Sequence, residues 1–161
     1  MTIEALQLLI LIIIANGAPI LVRMLLNQKL NTTVDFGFKM ADGNPVFGAS
    51  KTWRGILATL LITPVVALIF NYPVEIGILI ALGTISGDLF SSFVKRRLGM
   101  APSSKALLLD QIPESLIPVL MMIQIFNLSL LGVLLIVFIF AVIDVIITYF
   151  LYHWRIFIKS Y

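Results

Sequence analysis

The chain has 161 residues, of which 60% are hydrophobic and 12% charged, with a mean hydropathy of +1.09. That leaves too little polar surface to clothe a soluble core of this size, which excludes an ordinary water-soluble globule and points to an integral membrane protein. The formal net charge of +3 biases the polar parts toward anions, and the absence of cysteine removes disulfides, thiolate metal sites and cysteine nucleophiles together.

Measured against about 20 residues per crossing, five apolar stretches read as spans: Ile3–Val22, Gly55–Asn71, Val74–Phe93, Ile112–Phe126 and Leu128–Tyr152. The expected fold is all-α, a polytopic membrane protein of about five transmembrane helices forming one domain over residues 1–161. In the first span Glu4 stands where a signal peptide would carry a basic segment, so this stretch is expected to remain as a span. Pro19 within it frees the carbonyl of Ala15 from its helical bond. Asn16 nearby either meets a substrate or satisfies the kinked backbone.

The connection Asn27–Arg54 contains Asp42-Gly43-Asn44-Pro45-Val46-Phe47-Gly48-Ala49-Ser50-Lys51-Thr52-Trp53-Arg54 and leads into span two. Gly43 and Gly48 have the spacing of a phosphate-binding P-loop, but Ala49 and Ser50 intervene before Lys51-Thr52 and no strand precedes them, so that match fails. A glycine-containing loop feeding a helix start still suits phosphate, with backbone N–H groups, Lys51, Thr52 and Arg54 near it. The plainer reading makes Lys51 and Arg54 interfacial anchors and Trp53 an aromatic-belt residue.

Span three ends in Gly87-Asp88-Leu89-Phe90-Ser91-Ser92-Phe93-Val94-Lys95-Arg96-Arg97, where Asp88, Ser91, Ser92 and Lys95 fall at i, i+3, i+4 and i+7 and share one helix face. An aspartate in an apolar span costs a few kcal/mol on insertion and is retained where it meets a cavity, an ion or a partner. A bundle ion pair from Asp88 to Lys95 or Arg96 is the structural alternative. After Ser104-Lys105 comes Asp110-Gln111-Ile112-Pro113-Glu114, with Pro113 suited to a first helical turn and Asp110 placed to cap span four. Asp88 and Asp110 flank the same loop, and two hard carboxylates with serine hydroxyls are ligand chemistry for Mg²⁺ sharing its sphere with phosphates. The expectation is a metal–nucleotide site at the membrane surface.

Asp144 lies in span five without a second motif around it, which favours a buried ion pair or a supporting contact to a basic active-site residue over direct metal binding. His153, beside Trp154 and Arg155, reads as an anchoring neighbour. All eleven Lys and Arg residues fall in the segments 23–54, 95–105 and 155–159, whereas the turns at Asn71–Glu75 and around Asn127 carry none. The positive-inside rule therefore sets the N-terminus outside, the C-terminus in the cytoplasm, and the large loops 1–2 and 3–4 on the cytoplasmic face of the cell membrane.

The run Gly87-Asp88, Ser91-Ser92, Lys95-Arg96, Ser104-Lys105, Asp110-Gln111-Ile112-Pro113 resembles the signature of the CDP-archaeol synthase family, which is similar to phosphatidate cytidylyltransferases. Asp42-Gly43, Phe47-Gly48, Lys51-Thr52-Trp53-Arg54-Gly55 and Asn16-Gly17-Ala18-Pro19 resemble its other motifs, so the likeness covers nearly the whole chain. The wider signature's His-Gly-Gly is missing, which favours the archaeal branch. The resemblance implies transfer of a cytidylyl group from CTP to an isoprenoid glycerol-phosphate lipid, with Mg²⁺ as cofactor, the bilayer as setting and no nucleic acid as partner. It implies Asp88, Lys95, Arg96 and Asp110 as catalytic, with Asp88 and Asp110 also holding metal. Asn16, Gly43, Gly48, Lys51, Thr52, Arg54, Ser91, Ser92, Ser104, Lys105 and Gln111 become candidates for contacting substrate. A rival class is a small ion or solute transporter using Asp88, Asp110 and Asp144, although a conduit should carry polar groups into the outer half as well.

Overall fold

The computed structural model describes residues 2–27, 29–101, 104, 106 and 108–159. It contains five helices: α1 (Ile3–Leu26), α2 (Trp53–Ile69), α3 (Val74–Arg97), α4 (Gln111–Met122) and α5 (Leu130–Lys159). Each overlaps one predicted span, and the described residues hold no strand beyond two isolated bridges, Thr33 to Thr52 and Lys39 to Pro45. α1, α3 and the Leu130–Phe150 part of α5 are long and apolar enough to cross a membrane, whereas α2 is a shorter apolar helix.

Local chemistry sets the ends. Thr2 caps α1 by accepting from the Ala5 N–H, Thr52 caps α2 by accepting from Gly55, and the Ser129 hydroxyl accepts from Gly132 at the start of α5. Asn27, Asn71 and Asn127, in the three connections next to helix ends, have φ of 48°, 62° and 45°, a left-handed turn that asparagine tolerates. Gly99, at φ 70°, closes α3, while the N–H of Met100 reaches back to the Lys95 carbonyl. α4 stops at Met122, short of the predicted Phe126, and residues 123–127 continue as turns.

Lipid tails are as apolar as leucine, so helices in a membrane associate through close packing and internal polar contacts. α3 is the post of this bundle, touching α1, α2 and α4, while α5 closes the ring against α4 and α1. Its glycines permit the approach: a Cβ on Gly77 would sit 2.4 Å from Pro64 Cα, on Gly83 2.8 Å from Pro118 Cα, and on Gly87 2.2 Å from the Pro113 carbonyl oxygen. The core fills the other end of the ring with Leu8, Leu11, Ile12, Ile80, Met122, Ile136 and Phe140, all essentially inaccessible.

The Pro19 kink is answered inside the bundle. The Thr59 hydroxyl of α2 donates to the freed Ala15 carbonyl at 3.0 Å, and Gly55 leaves room for the Pro19 ring.

A candidate active site at the end of α3

Of the polar face predicted on α3, Ser91, Ser92 and Lys95 are buried against neighbouring segments and Asp88 is half-buried; Arg96, next to Lys95, is buried as well. Two ion pairs then tie separated parts of the chain to it. Lys51, from the loop after α1, pairs with Asp88, and Lys95 Nζ lies 2.7 Å from Asp110 Oδ1 just before α4. Loop 1–2, α3 and loop 3–4 therefore meet at one end of the bundle.

Lys51 is held by backbone on both sides. Its carbonyl accepts from the Val34 N–H at 2.9 Å, its N–H donates to Gly48, and the next residue is the α2 cap. Burial works against its charge, but the carboxylate of Asp88, then those of Glu114 and Asp110, outweigh burial and hold the Lys51 ammonium above the ordinary lysine range. It stays protonated at neutral pH.

Asp110 is positioned from both sides as well. Its Oδ2 accepts from the Ala106 N–H at 3.2 Å, and Lys95 also donates to the Ser104 carbonyl at 3.2 Å. The expected cap of α4 is not made by this side chain, because the carboxylate turns back toward Ala106. Its Oδ1 is buried and receives no directed hydrogen bond, so the contact with Lys95 is one of charge and leaves lone pairs open. Arg96 donates to the Ala101 carbonyl at 3.0 Å, feels the Asp110 charge, and keeps Nε and Nη1 without partners although it is only 2% exposed.

Gln111 faces a different neighbour from those expected. Its Nε2 donates to Asp144 Oδ2 at 2.9 Å while its Oε1 accepts from the Leu108 N–H at 2.8 Å. The partner expected for Asp144 was a basic residue, and the structure gives it the neutral amide of Gln111 instead. Asp144 also lines a cavity of about 30 Å³ with Asn16 and Gly17 of α1, room for a water molecule. Asn16 itself donates to the Ile12 carbonyl at 3.1 Å, one turn back along α1.

Several candidates act as supports around the pair-linked centre. Arg54 donates to the Asn27 carbonyl at 2.8 Å and to the Lys29 carbonyl, closing the end of α1 onto the start of α2. The Gly48 N–H, with that of Phe47, is engaged by Asp35 Oδ2 at 2.8 and 3.0 Å, and Gly43 takes a positive-φ turn at 77°. Ser91 bonds the Asp88 carbonyl at 3.0 Å. Lys105 lies outside the described residues. Arg97, not singled out from sequence, pins loop 1–2 by donating to Asp42 at 2.9 Å and to the Pro45 carbonyl at 2.6 Å.

Glu114 is the acidic group that sequence reasoning passed over, since it lies against Asp88 and Lys51. Its spacing of i+4 from Asp110, in the first turn of an otherwise apolar helix, was the available signal. The donors at this end are carboxylate oxygens, which fit a hard divalent cation better than a soft one. Among the described residues no three acidic or imidazole groups close around a common point. The set fits an ion that brings phosphate oxygens with it, as Mg²⁺ does, with Asp110 Oδ1 available once Lys95 turns to a phosphate.

A family model described as CarS-like, CDP-archaeol synthase, matches residues 68–160. The CDP-archaeol synthase of Pyrococcus furiosus is 37% identical over 107 residues, covering 60% of each chain, and that of Hyperthermus butylicus is 36% identical over 104 residues, covering 61% of this chain and 59% of the other. These alignments span about 60% of the relatives' own length. The CDP-archaeol synthase of Saccharolobus islandicus is 35% identical over 121 residues, 70% of this chain and 69% of that one. A solved structure described as an intramembrane enzyme for archaeal membrane lipids biosynthesis superimposes with a TM-score of 0.76 at 26% identity, covering 89% of this chain and 92% of that chain.

Proposed function

Because this chain belongs to the CDP-archaeol synthase family, we propose that it transfers a cytidylyl group from CTP to 2,3-di-O-geranylgeranylglycerol 1-phosphate. The observation that carries this reading is the meeting of three cationic and acidic motifs from distant parts of the chain through the pairs Lys51–Asp88 and Lys95–Asp110. A phosphate oxygen of the lipid forms a bond to the α-phosphorus of CTP, the bond from that phosphorus to the β-phosphate oxygen breaks, and pyrophosphate leaves. The lipid phosphate has a second pKa of about 6, so it is largely dianionic near neutrality and no general base is needed.

The obstacle is repulsion between anions, and the residues are of the kind that remove it. Lys51, Lys95 and Arg96 stand where a triphosphate and a lipid phosphate can take over from Asp88 and Asp110 as their partners. The free Nε and Nη1 of Arg96 are donors in hand for a phosphate oxygen. Mg²⁺, held by Asp88 and Asp110 when bound with the nucleotide, would supply neutralisation of the transferring group. Ser104 and Ser92 complete the polar lining in this reading, and Lys105 stays a candidate phosphate contact on the sequence resemblance. An apolar recess of about 300 Å³ lined by Leu108, Gln111, Phe138, Ala141, Val142 and Val145 opens beside the start of α4, where an isoprenoid chain can lie while its phosphate reaches the site.

We place the site at the cytoplasmic face, where CTP is available, on the cation distribution alone. The transporter alternative is not favoured, because the family model and the superimposing intramembrane lipid-biosynthesis structure both speak for an enzyme. Incubating the purified protein with labelled CTP, Mg²⁺ and the lipid phosphate should give a CDP-lipid and pyrophosphate. Asp88→Asn and Asp110→Asn should each abolish that product without preventing membrane insertion. Full activity in both variants would remove the metal assignment.

A further inference from the structure

Loop 1–2 carries an apolar edge that the site does not use. Leu30, Phe36, Phe38 and Met40 are exposed, Phe36 at 74% and Phe38 at 67%, in a segment otherwise made of polar turns. A bulky side chain this open to solvent is uncommon in a loop of polar character. The backbone is strained to present it: Phe36 has φ 48°, a left-handed conformation unfavourable for an aromatic residue. Asp35 holds that turn by accepting from the N–H groups of Gly37, Phe47 and Gly48.

The patch continues a surface that already faces lipid. Trp53, Leu57 and Leu61 follow one another at i, i+4 and i+8 on the outer face of α2 and are exposed at 42%, 55% and 68%. The Phe36 ring lies 6.3 Å from that of Trp53, so the apolar stripe of the helix runs off its end onto the loop. Lys29 and Lys39 flank the aromatic pair and are exposed, while the acidic residue between them, Asp35, is turned inward onto backbone amides. Aromatic rings beside lysines match a boundary where hydrocarbon gives way to anionic headgroups.

We infer that residues 30–40 form a wedge that docks into the headgroup zone of an anionic leaflet, with Phe36 and Phe38 inserted and Lys29 and Lys39 on lipid phosphates. The wedge is joined by backbone to the site. The Val34 N–H donates to the Lys51 carbonyl at 2.9 Å and the Trp53 N–H to the Thr32 carbonyl at 3.0 Å, so the depth at which the wedge sits sets the height of Lys51 and its partner Asp88. This inference needs only the membrane setting and stands apart from the reaction proposed above.

The chain has no cysteine, so Phe36→Cys, Phe38→Cys and Ala41→Cys each offer one labelling position on an exposed residue of the whole protein. Nitroxide labels at the three positions are compared after reconstitution into vesicles of phosphatidylglycerol with phosphatidylcholine, and into phosphatidylcholine alone. In the anionic vesicles, labels at 36 and 38 should collide with oxygen several-fold more readily than with a water-soluble nickel chelate, and the label at 41 should show the reverse. Insertion at 36 and 38 should be shallower without phosphatidylglycerol. Nickel-favouring collisions at all three positions would overturn the inference, as would dipolar broadening showing that a second copy covers the patch. Equal depth in the two lipids would overturn the anionic partner.

Discussion

The Gln111 amide is read from both ends at once. Asp144 can only accept when ionised, so it draws Nε2 toward α5 and turns Oε1 to the Leu108 N–H, at the turn where Leu108 adopts φ 68°. That orders the backbone immediately before Asp110. Gln111→Glu sets a carboxylate against Asp144 and should lower the catalytic rate by about tenfold or more, equivalent to ~1.4 kcal/mol. Adding Asp144→Asn restores a donor facing an acceptor with the charge merely exchanged, and should recover most of the rate. Steady-state kinetics of the two variants decide this, and failure of the second change to rescue the first would show that Asp144 does not act through Gln111.

At the scale of elements, α3 and α4 are locked where the chemistry is. A methyl at Gly87 would meet the backbone of Pro113 and Glu114, which no side-chain rotation can relieve. Gly87→Ala should therefore cost about 2 kcal/mol or more of stability and displace Glu114 from Asp88. Loss of thermal stability in detergent together with loss of activity checks it. The loop holding Lys51 depends on Asp35 in a pH-dependent way. Burial would raise its carboxyl, but the N–H groups of Gly48, Phe47 and Gly37 outweigh burial and hold it below the usual carboxylate range. A group shifted down stabilises the fold above its unfolded pKa of about 4 and loses that contribution as pH falls through the lower folded value. Protection of the Phe47 and Gly48 amides from exchange, relative to the unstructured rate at the same pH, should fall below that pH in the natural protein and be low at all pH values in Asp35→Ala. The helices themselves were legible in sequence because runs of apolar residues admit few alternatives in a membrane. The ends of α4 were not, since Ile123–Phe126 is as hydrophobic as the helix before it and only the turn geometry tells them apart. In the site, Asp88 and Lys95 could be placed by helical period, and Asp110 by its flanking position. The partners could not: which lysine meets which aspartate depends on how loop 1–2 folds over α3, and Arg54 looked like a phosphate ligand until the Asn27 and Lys29 carbonyls stood in its path.

For the molecule as a whole, the orientation proposed from the cation distribution, with the cation-rich face toward the cytoplasm, can be tested directly. In sealed cells a membrane-impermeant maleimide should label Glu75→Cys, an exposed position in the first turn of α3, and should reach Ala41→Cys only after permeabilisation. The opposite pattern would invert the topology and move the site to the outside. Between those two faces the position of Asp88 is informative. Counted from Val74, it lies fourteen residues along α3, about 21 Å at 1.5 Å per residue, whereas hydrocarbon is about 30 Å thick. With Val74 at one hydrocarbon boundary, the Asp88 carboxylate therefore falls short of the other, within the apolar depth of the bilayer. In the proposed reaction the lipid phosphate and the nucleotide would then both have to be drawn inward from the headgroup zone to reach it, the lipid sideways and the nucleotide from water.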